Sequence, residues 1–246
     1  MTALASILEM TDVEAGYGKF TVLDRVSLRL AGDEILAVLG ANGSGKSTAL
    51  KTIIGLTQMS AGNIRFQGQE IGRLAAHRRA GLGIGYVPQV QNVFPDLTVA
   101  DNLRMGAFLR PRELDRAQDR VFALFPRLAE RRKQIAGRLS GGERRMLSIG
   151  MTLLLEPKAL LLDEPSSDLA PAMIETVFSA LTAIRRQLRI PIMLVEQNVN
   201  QALTIADRVT VLVRGRQALE QAAGQIDPED LRNLFVDGSV SARGPA

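Results

Sequence analysis

The sequence predicts an α/β fold: a mostly parallel sheet flanked by helices, with an N-terminal antiparallel β subdomain and an inserted α-helical subdomain. A buried strand, a glycine-rich loop and a helix follow one another at residues 34–56. A mostly helical pattern occupies about residues 90–156, and from residue 159 short apolar strands alternate with helical segments. Such alternation is typical of a parallel sheet covered by helices. The 246 residues fit one domain, about 1–246, that contains the insertion.

The first elements of the chain mix antiparallel strands with the strand–loop–helix unit. Gly32 ends a hairpin-like segment, and the apolar run at 34–39 predicts a buried strand before a helix at 47–56. The residues SAGN at 60–63 are expected to separate that helix from a strand at 64–66.

The loop GANGSGKST between this strand and helix has the P-loop pattern in the context that the pattern requires. Its glycines let backbone N–H groups approach phosphate oxygens, and the helix N-terminus favours an anion. Lys46 is expected to reach the β and γ phosphates, and the Ser47 hydroxyl to bind Mg²⁺. The predicted nucleotide-binding residues of the loop are Gly40, Ala41, Asn42, Gly43, Ser44, Gly45, Lys46, Ser47 and Thr48.

Within the helical stretch, helices are predicted to open at 98–103 and to span 115–124. A third, at 143–155, follows the sequence LSGGE, in which Ser140 is a candidate N-cap. With Gly141 and Gly142, this helix start could bind a second anion, or it could be an ordinary capped helix. One chain rarely needs two such sites for one triphosphate.

The apolar run 159–162 predicts a central parallel strand that delivers Asp163 and Glu164 to the sheet edge where the P-loop lies. We expect Asp163 to hold a magnesium-bound water and Glu164 to polarise the water that attacks the γ phosphate. Alone, these could be two solvated carboxylates. The P-loop, LSGGE and LLLDEP in this order are far more specific than any one motif, and together they indicate ATP binding and hydrolysis.

The rest of the chain is predicted to continue the alternation. Helices are expected at 174–188 and 199–206, with strands from 192 and at 208–213. A C-terminal hairpin, a helix at 228–235 and a small, polar tail then occupy about 214–246.

These motifs resemble those of the ATP-binding subunits of ABC transporters, and the resemblance covers nearly the whole chain. It implies a P-loop ABC-ATPase core, and a head-to-tail pair in which each LSGGE turn closes over the ATP on the partner's P-loop. Tyr17 matches the family's aromatic that stacks on adenine, and Gln89 matches its glutamine that contacts magnesium and water. Judged without the other motifs, they could be a surface tyrosine and a polar strand end.

Two positions depart from the family pattern. Gln197 stands where many relatives carry a histidine that contacts the γ phosphate, so its role would be a polar contact rather than proton transfer. Ala170 stands at the usual aspartate of the loop between subunits, so communication across the dimer is expected to be altered.

Together with LVEQN at 194–198, LAP at 169–171 and LFPRLAERR at 124–132, the departures resemble the LivF-type subunits of branched-chain amino-acid importers. This resemblance implies a second, different ATP-binding subunit, two membrane-spanning permease subunits and an extracytoplasmic solute-binding protein. It places the chain peripherally on the cytoplasmic face of the cell membrane.

Composition excludes several other functions. The chain has no cysteine, so disulfides and thiolate metal sites are excluded, and its single histidine, His77, is expected to be a loop residue. No apolar run approaches the length of a spanning helix, and residues 1–10 lack a signal-peptide pattern. The net charge is +4, with a basic cluster in the helical stretch. That cluster is read as a solvated face and nucleic acid is not expected, since aromatic residues are few. Its members are Arg127, Arg131, Arg132, Lys133 and Arg138.

Proteins with other functions contain the same kind of ATPase domain. Non-transport ABC-type ATPases of DNA repair, translation or assembly use it, but their long coiled coil or second ATPase unit is absent here. LSGGERR also resembles the ATPase of the lipopolysaccharide exporter, although LAP and EQN argue against it. A nucleotide-binding scaffold with little turnover is a third reading, supported by Gln197 and Ala170.

Overall fold

In the computed structural model, which describes residues 6–90, 93–108 and 114–237, the N-terminal strands form a four-stranded antiparallel sheet. Its order is β2-β1-β4-β5, with β1 at Ser6–Tyr17, β2 at Phe20–Ala31, β4 at Gln58–Phe66 and β5 at Gln69–Glu70. The expected separation at residues 60–63 is wrong, because these residues lie within β4 and pair with β1. Gly62 accommodates the irregular register there with a φ of 87°, and a Cβ at this position would lie 2.5 Å from the Asp12 carbonyl oxygen.

The second sheet has six strands in the order β10-β9-β3-β8-β7-β6. All neighbouring pairs are parallel except the hairpin of β9 and β10. Every residue of β3, β7 and β8 is buried, which explains their uninterrupted apolar runs. The strands are β3 at Ile35–Leu39, β6 at Ile84–Val87, β7 at Ala159–Asp163, β8 at Ile192–Glu196, β9 at Arg208–Val213 and β10 at Arg216–Ala222.

Nine α-helices lie within the described residues. Their bounds are α1 Lys46–Ile54, α2 Ala76–Gly81, α3 Val99–Gly106, α4 Leu114–Leu124, α5 Pro126–Glu130, α6 Gly141–Leu153, α7 Pro171–Leu188, α8 Val199–Leu203 and α9 Pro228–Asp237. None of the helices in the part of the chain that the structure describes is long and apolar enough to cross a membrane.

Helix ends differ from the sequence predictions where local caps act. Helix α1 stops at Ile54 because Gly55 takes a left-handed conformation, and α6 begins two residues early because Ser140 and Glu143 form a capping box. Helix α7 begins at Pro171, which suits the first helical turn. His77 lies on the exposed face of the short helix α2, so its assignment to a loop is wrong. The predicted tail at 238–246 lies outside the described residues.

The core lies on both faces of the six-stranded sheet. Along β3, Ile35, Ala37 and Leu39 join one apolar cluster, whereas Leu36 and Val38 join the other. The first cluster contains buried residues of α3, α6 and α7. The second contains buried residues of α1 and of the antiparallel sheet. Because the central strands are parallel, their carboxyl ends meet at one edge, where the P-loop, Asp163 and Glu164 lie.

Candidate active site

The P-loop connects the carboxyl end of β3 to the first turn of α1. Gly45 is the N-cap residue of α1 and has a φ of 103°, a conformation that disfavours residues with a Cβ. A Cβ there would also lie 2.9 Å from Leu23 Cδ2. Only glycine therefore lets the backbone turn from the strand into the helix here, which points the first N–H groups of α1 towards the loop.

Lys46 is buried inside this loop, with a side chain that is 4% exposed. Its ammonium group donates hydrogen bonds to the carbonyl oxygens of Gly40 (2.8 Å) and Ala41 (3.0 Å) and lies 3.9 Å from Glu164 Oε1. Burial lowers the pKa of Lys46, against the opposing effect of the carboxylates of Glu164, Asp163 and Glu196. The loop thus holds a cation at its centre.

Asp163 ends β7 and receives two hydroxyl donors. Ser47 Oγ donates to Asp163 Oδ1 at 2.7 Å, and the Tyr86 hydroxyl donates to Oδ2 at 3.2 Å. Burial and then the Asp163 charge raise the pKa of Tyr86, so this phenol stays protonated and remains a donor. Hydroxyl and carboxylate oxygens are the ligands that Mg²⁺ accepts, so Ser47 and Asp163 fit this ion. Within the described residues, no group of three or more histidine or acidic side chains could hold a metal ion.

Glu164 follows Asp163, and two glutamine amides hold its carboxylate. Gln89 Nε2 donates to Glu164 Oε2 at 3.1 Å, and Gln197 Nε2 donates to Oε1 at 2.9 Å. The Glu164 backbone has a φ of 44°, in the left-handed region, and its N–H donates to the Val195 carbonyl oxygen at 3.0 Å. The three predicted catalytic residues, from three different strand ends, therefore meet at one carboxylate.

A polar cavity of about 500 Å³ joins the P-loop to this carboxylate. It brings together most of the predicted site residues from the loop, the end of β7 and the segment after β8. Its lining residues are Val22, Asn42, Gly43, Gly45, Lys46, Ser47, Thr48, Gln89, Glu164, Ser167, Asp168 and Gln197.

Tyr17 does not line this cavity. It ends β1, opposite Phe20 across the hairpin, and both side chains are exposed. The hairpin and β4 line a separate cavity through Gly16, Lys19 and Met59. The adenine-stacking role of Tyr17 stays a prediction.

The LSGGE residues also lie apart from the cavity. Ser140 caps α6 at the surface, while Gly142 is buried against Met173 of α7. In the capping box, the Ser140 N–H donates to Glu143 Oε2 at 2.9 Å, and Arg131 Nε lies 2.9 Å from Glu143 Oε1. This helix start therefore contributes no residue to the lining of the chain's own cavity, and of its three turn residues Ser140 is exposed whereas Gly142 is buried.

Three residues around the site were missed by sequence reasoning. Tyr86 contacts Asp163, Arg145 binds backbone carbonyls behind the cavity, and the buried Glu196 accepts hydrogen bonds from Ser166 N and Oγ, both at 2.8 Å. The sequence signal for Arg145 and Glu196 is weak, because a charged residue in a helix or at a strand end is usually solvated.

This fold and this site define a P-loop ATPase. A family model for ABC transporters matches residues 23–167, and the chain belongs to this family of ATP-binding proteins. The chain is 42% identical to the high-affinity branched-chain amino acid transport ATP-binding protein BraG of Pseudomonas aeruginosa, over 94% of this chain and all of that protein. It is 41% identical to the probable branched-chain amino acid transport ATP-binding protein LivF of Archaeoglobus fulgidus, over 89% of this chain and 94% of that protein.

The fold is likewise shared with solved structures. A nucleotide-free ATP-binding cassette from an ABC transporter superposes with a TM-score of 0.82 at 24% identity, covering 96% of this chain and 97% of that one. The predicted fold class and the resemblance to branched-chain amino-acid transport subunits are therefore confirmed.

Proposed function

We propose that this chain is the ATP-binding and hydrolysing subunit of an ABC importer for branched-chain or other amino acids. The observation that carries the ATPase part is the meeting of Lys46, the Ser47–Asp163 pair and Glu164 at one sheet edge. The importer part rests on the names of the relatives, which are transport ATP-binding proteins for branched-chain amino acids.

In this proposal the triphosphate of ATP occupies the P-loop, where Lys46 and the first N–H groups of α1 neutralise the β and γ phosphates. Ser47 and Gln89 would hold Mg²⁺, Asp163 would hold it through a bound water, and the ion would supply positive charge that offsets the phosphates. Gln89 suits this role because its amide nitrogen donates to Glu164 and to Ser167, so its amide oxygen remains as a ligand.

Glu164 accepts a hydrogen bond from the attacking water and polarises it towards the γ phosphate. Its carboxylate needs a fixed orientation for this, and Gln89 and Gln197 supply one donor to each oxygen. Because an amide does not titrate, Gln197 orients Glu164 without transferring a proton.

The turn at Ser140, Gly141 and Gly142 acts on the ATP of a second subunit, a different chain bound head to tail. Ser140 at this helix N-terminus is exposed, and none of the three residues lines the cavity of its own chain, which supports a role in trans. Dimer closure on two ATP would then drive the membrane subunits. The N-cap position of α7 is Ala170, which makes no side-chain cap, so this loop would signal across the dimer through its backbone.

Exposed aromatic residues of the helical stretch support docking to two permease subunits. Phe94 is 45% exposed and Phe108 77% exposed, and large apolar side chains of this kind favour a protein partner. Two leucines of the same stretch, Leu97 and Leu103, were compared with these aromatic residues as docking candidates. Leu97 is half-buried, and Leu103 is wrong for this role because it is fully buried in the core. The solute-binding protein contacts the permeases, and the chain sits peripherally on the cytoplasmic face of the membrane.

The experiment is to purify the chain from its native membrane in a mild detergent and to identify what accompanies it. We expect two permeases, a second ATP-binding subunit and an amino-acid-binding protein. Co-purification with soluble partners or nucleic acid only would contradict the transport role and leave the ATPase assignment standing. Complexes that bind ATP without hydrolysing it would instead favour the scaffold reading, which Gln197 and Ala170 motivate.

A further inference from the structure

Arg145 is a buried arginine of α6, the helix that begins at the LSGGE turn. Arg145 lies two residues after Glu143, and only 4% of its surface is exposed. It does not line the nucleotide cavity, so it has no contact with ATP in the proposed mechanism. A fully buried guanidinium requires hydrogen-bond partners, and those partners show what it does.

The guanidinium group binds the backbone at two strand ends. Arg145 Nη1 donates to the Pro88 carbonyl oxygen at 2.7 Å, and Nη2 donates to the carbonyl oxygens of Gln89 at 2.9 Å and Glu164 at 3.3 Å. Pro88 and Gln89 follow β6, whereas Glu164 follows β7. One side chain thus fixes the backbones of the two residues whose side chains meet 3.1 Å apart in the site.

The Glu164 backbone needs this support. Its left-handed φ of 44° is unfavourable for a residue with a Cβ and persists only where neighbouring groups hold it. The Val195 carbonyl holds the N–H of Glu164, and Arg145 holds its carbonyl oxygen.

Electrostatics favour an arginine at this position. Burial lowers the pKa of Arg145, and the carboxylates of Glu196, Asp163, Asp168 and Glu164 oppose that shift. The planar fork of a guanidinium can reach three carbonyls at once, whereas a lysine ammonium is a single point of charge.

We propose that Arg145 is a positioning residue for ATP hydrolysis, which sets Gln89 against Glu164 and ties both to the LSGGE helix. This inference rests on the proposed ATPase function. Movement of α6 by a partner's nucleotide would pass through Arg145 to the hydrolytic carboxylate of its own chain. Loss of the Arg145 guanidinium group should therefore lower kcat and leave the affinity for ATP unchanged.

The test substitutes Arg145→Lys in the complex purified from the native membrane, with Arg79→Lys as the matched control. Arg79 is equally buried and donates to four backbone carbonyls, at Thr52, Ile53, Gly72 and Leu74, but it lies at the far end of α1 from the P-loop. We expect Arg145→Lys to lower kcat about tenfold or more, as for a misplaced catalytic group, with the KM for ATP within about twofold of the parent value. Arg79→Lys should lower the Tm and leave kcat and KM at parent values.

Two kcat results would overturn the inference. One is a kcat of Arg145→Lys equal to that of the parent. The other is a kcat lowered equally by Arg145→Lys and Arg79→Lys. If Arg145→Lys does not fold, Arg145→Gln is measured in the same way, and failure of both to fold would assign Arg145 a purely structural role. Glu164→Gln in the same preparation separates the two hypotheses, since its full activity would contradict the proposed function itself.

Discussion

Removal of the Gln197 amide should slow ATP hydrolysis by roughly tenfold. In Gln197→Ala, Glu164 Oε1 loses the donor at 2.9 Å and keeps Lys46 Nζ at 3.9 Å. Hydrogen bonds to charged groups contribute about 1.5–3 kcal/mol, and the solvent exposure of Gln197 favours the lower end. About 1.5 kcal/mol corresponds to roughly tenfold in rate. The Gln89 bond to Oε2 remains, so activity should fall without being abolished.

The assay is the steady-state rate of phosphate release by the purified complex at saturating ATP. Asn200→Ala is the matched control, because Asn200 is an exposed amide of α8 that does not line the cavity. Its rate should equal that of the parent. A Gln197→His variant extends the test, since an imidazole N–H can also donate to Glu164 and could carry a proton as well.

A Gln197→Ala rate within about twofold of the parent would refute the reasoning that the amide orients Glu164. A Gln197→His rate no different from the parent would show that this position does not limit turnover.

Three further changes test other parts of the site. Lys46→Ala should weaken ATP binding at least about tenfold in a titration of the isolated chain, because charge-assisted hydrogen bonds to phosphate are lost; parent affinity would contradict the P-loop assignment. Glu196→Gln should remove a pH dependence of the stability. Burial raises the pKa of Glu196 above the 4.5 of an exposed carboxyl. The stability that protonated Glu196 contributes is therefore present below pH 4.5 and is lost as the pH rises through the pKa of the folded state. The Tm of the variant minus that of the parent should grow from pH 4.5 upward, and a constant difference would contradict this. Gly142→Ala should lower the free energy of unfolding by about 1–3 kcal/mol in urea, since its Cβ would lie 2.9 Å from Met173 Cβ; Gly141→Ala, with Leu169 Cδ2 at 3.2 Å, should lose less.

The sequence was most informative where one local pattern determines one structure. The buried strands β3 and β7 and the glycine-rich loop were located correctly, since continuous apolar runs and glycine positions reflect burial and backbone conformation directly. Parallel strand order then brought Glu164 and Gln197 together, although 33 residues separate them along the chain.

Prediction failed where pairing or packing over long distances decides the outcome. Residues 60–63 were expected to separate the P-loop helix from a strand at 64–66, yet they pair with β1 across an irregular register. Arg145 reads as a solvated helical arginine, and only the packing of α6 against the ends of β6 and β7 buries it. The limits of the helical subdomain at about 90–156 and of the C-terminal segment at about 214–246 stay predictions.

ATP hydrolysis by the purified complex, before and after Glu164→Gln, tests the central claim most directly. The account predicts that turnover falls at least about hundredfold, as for loss of a catalytic base, while ATP still binds and holds the two ATP-binding subunits in a closed dimer. Size-exclusion chromatography with ATP and Mg²⁺ would detect that dimer. Unchanged turnover in the variant would contradict the assignment of Glu164 and, with it, the proposed mechanism.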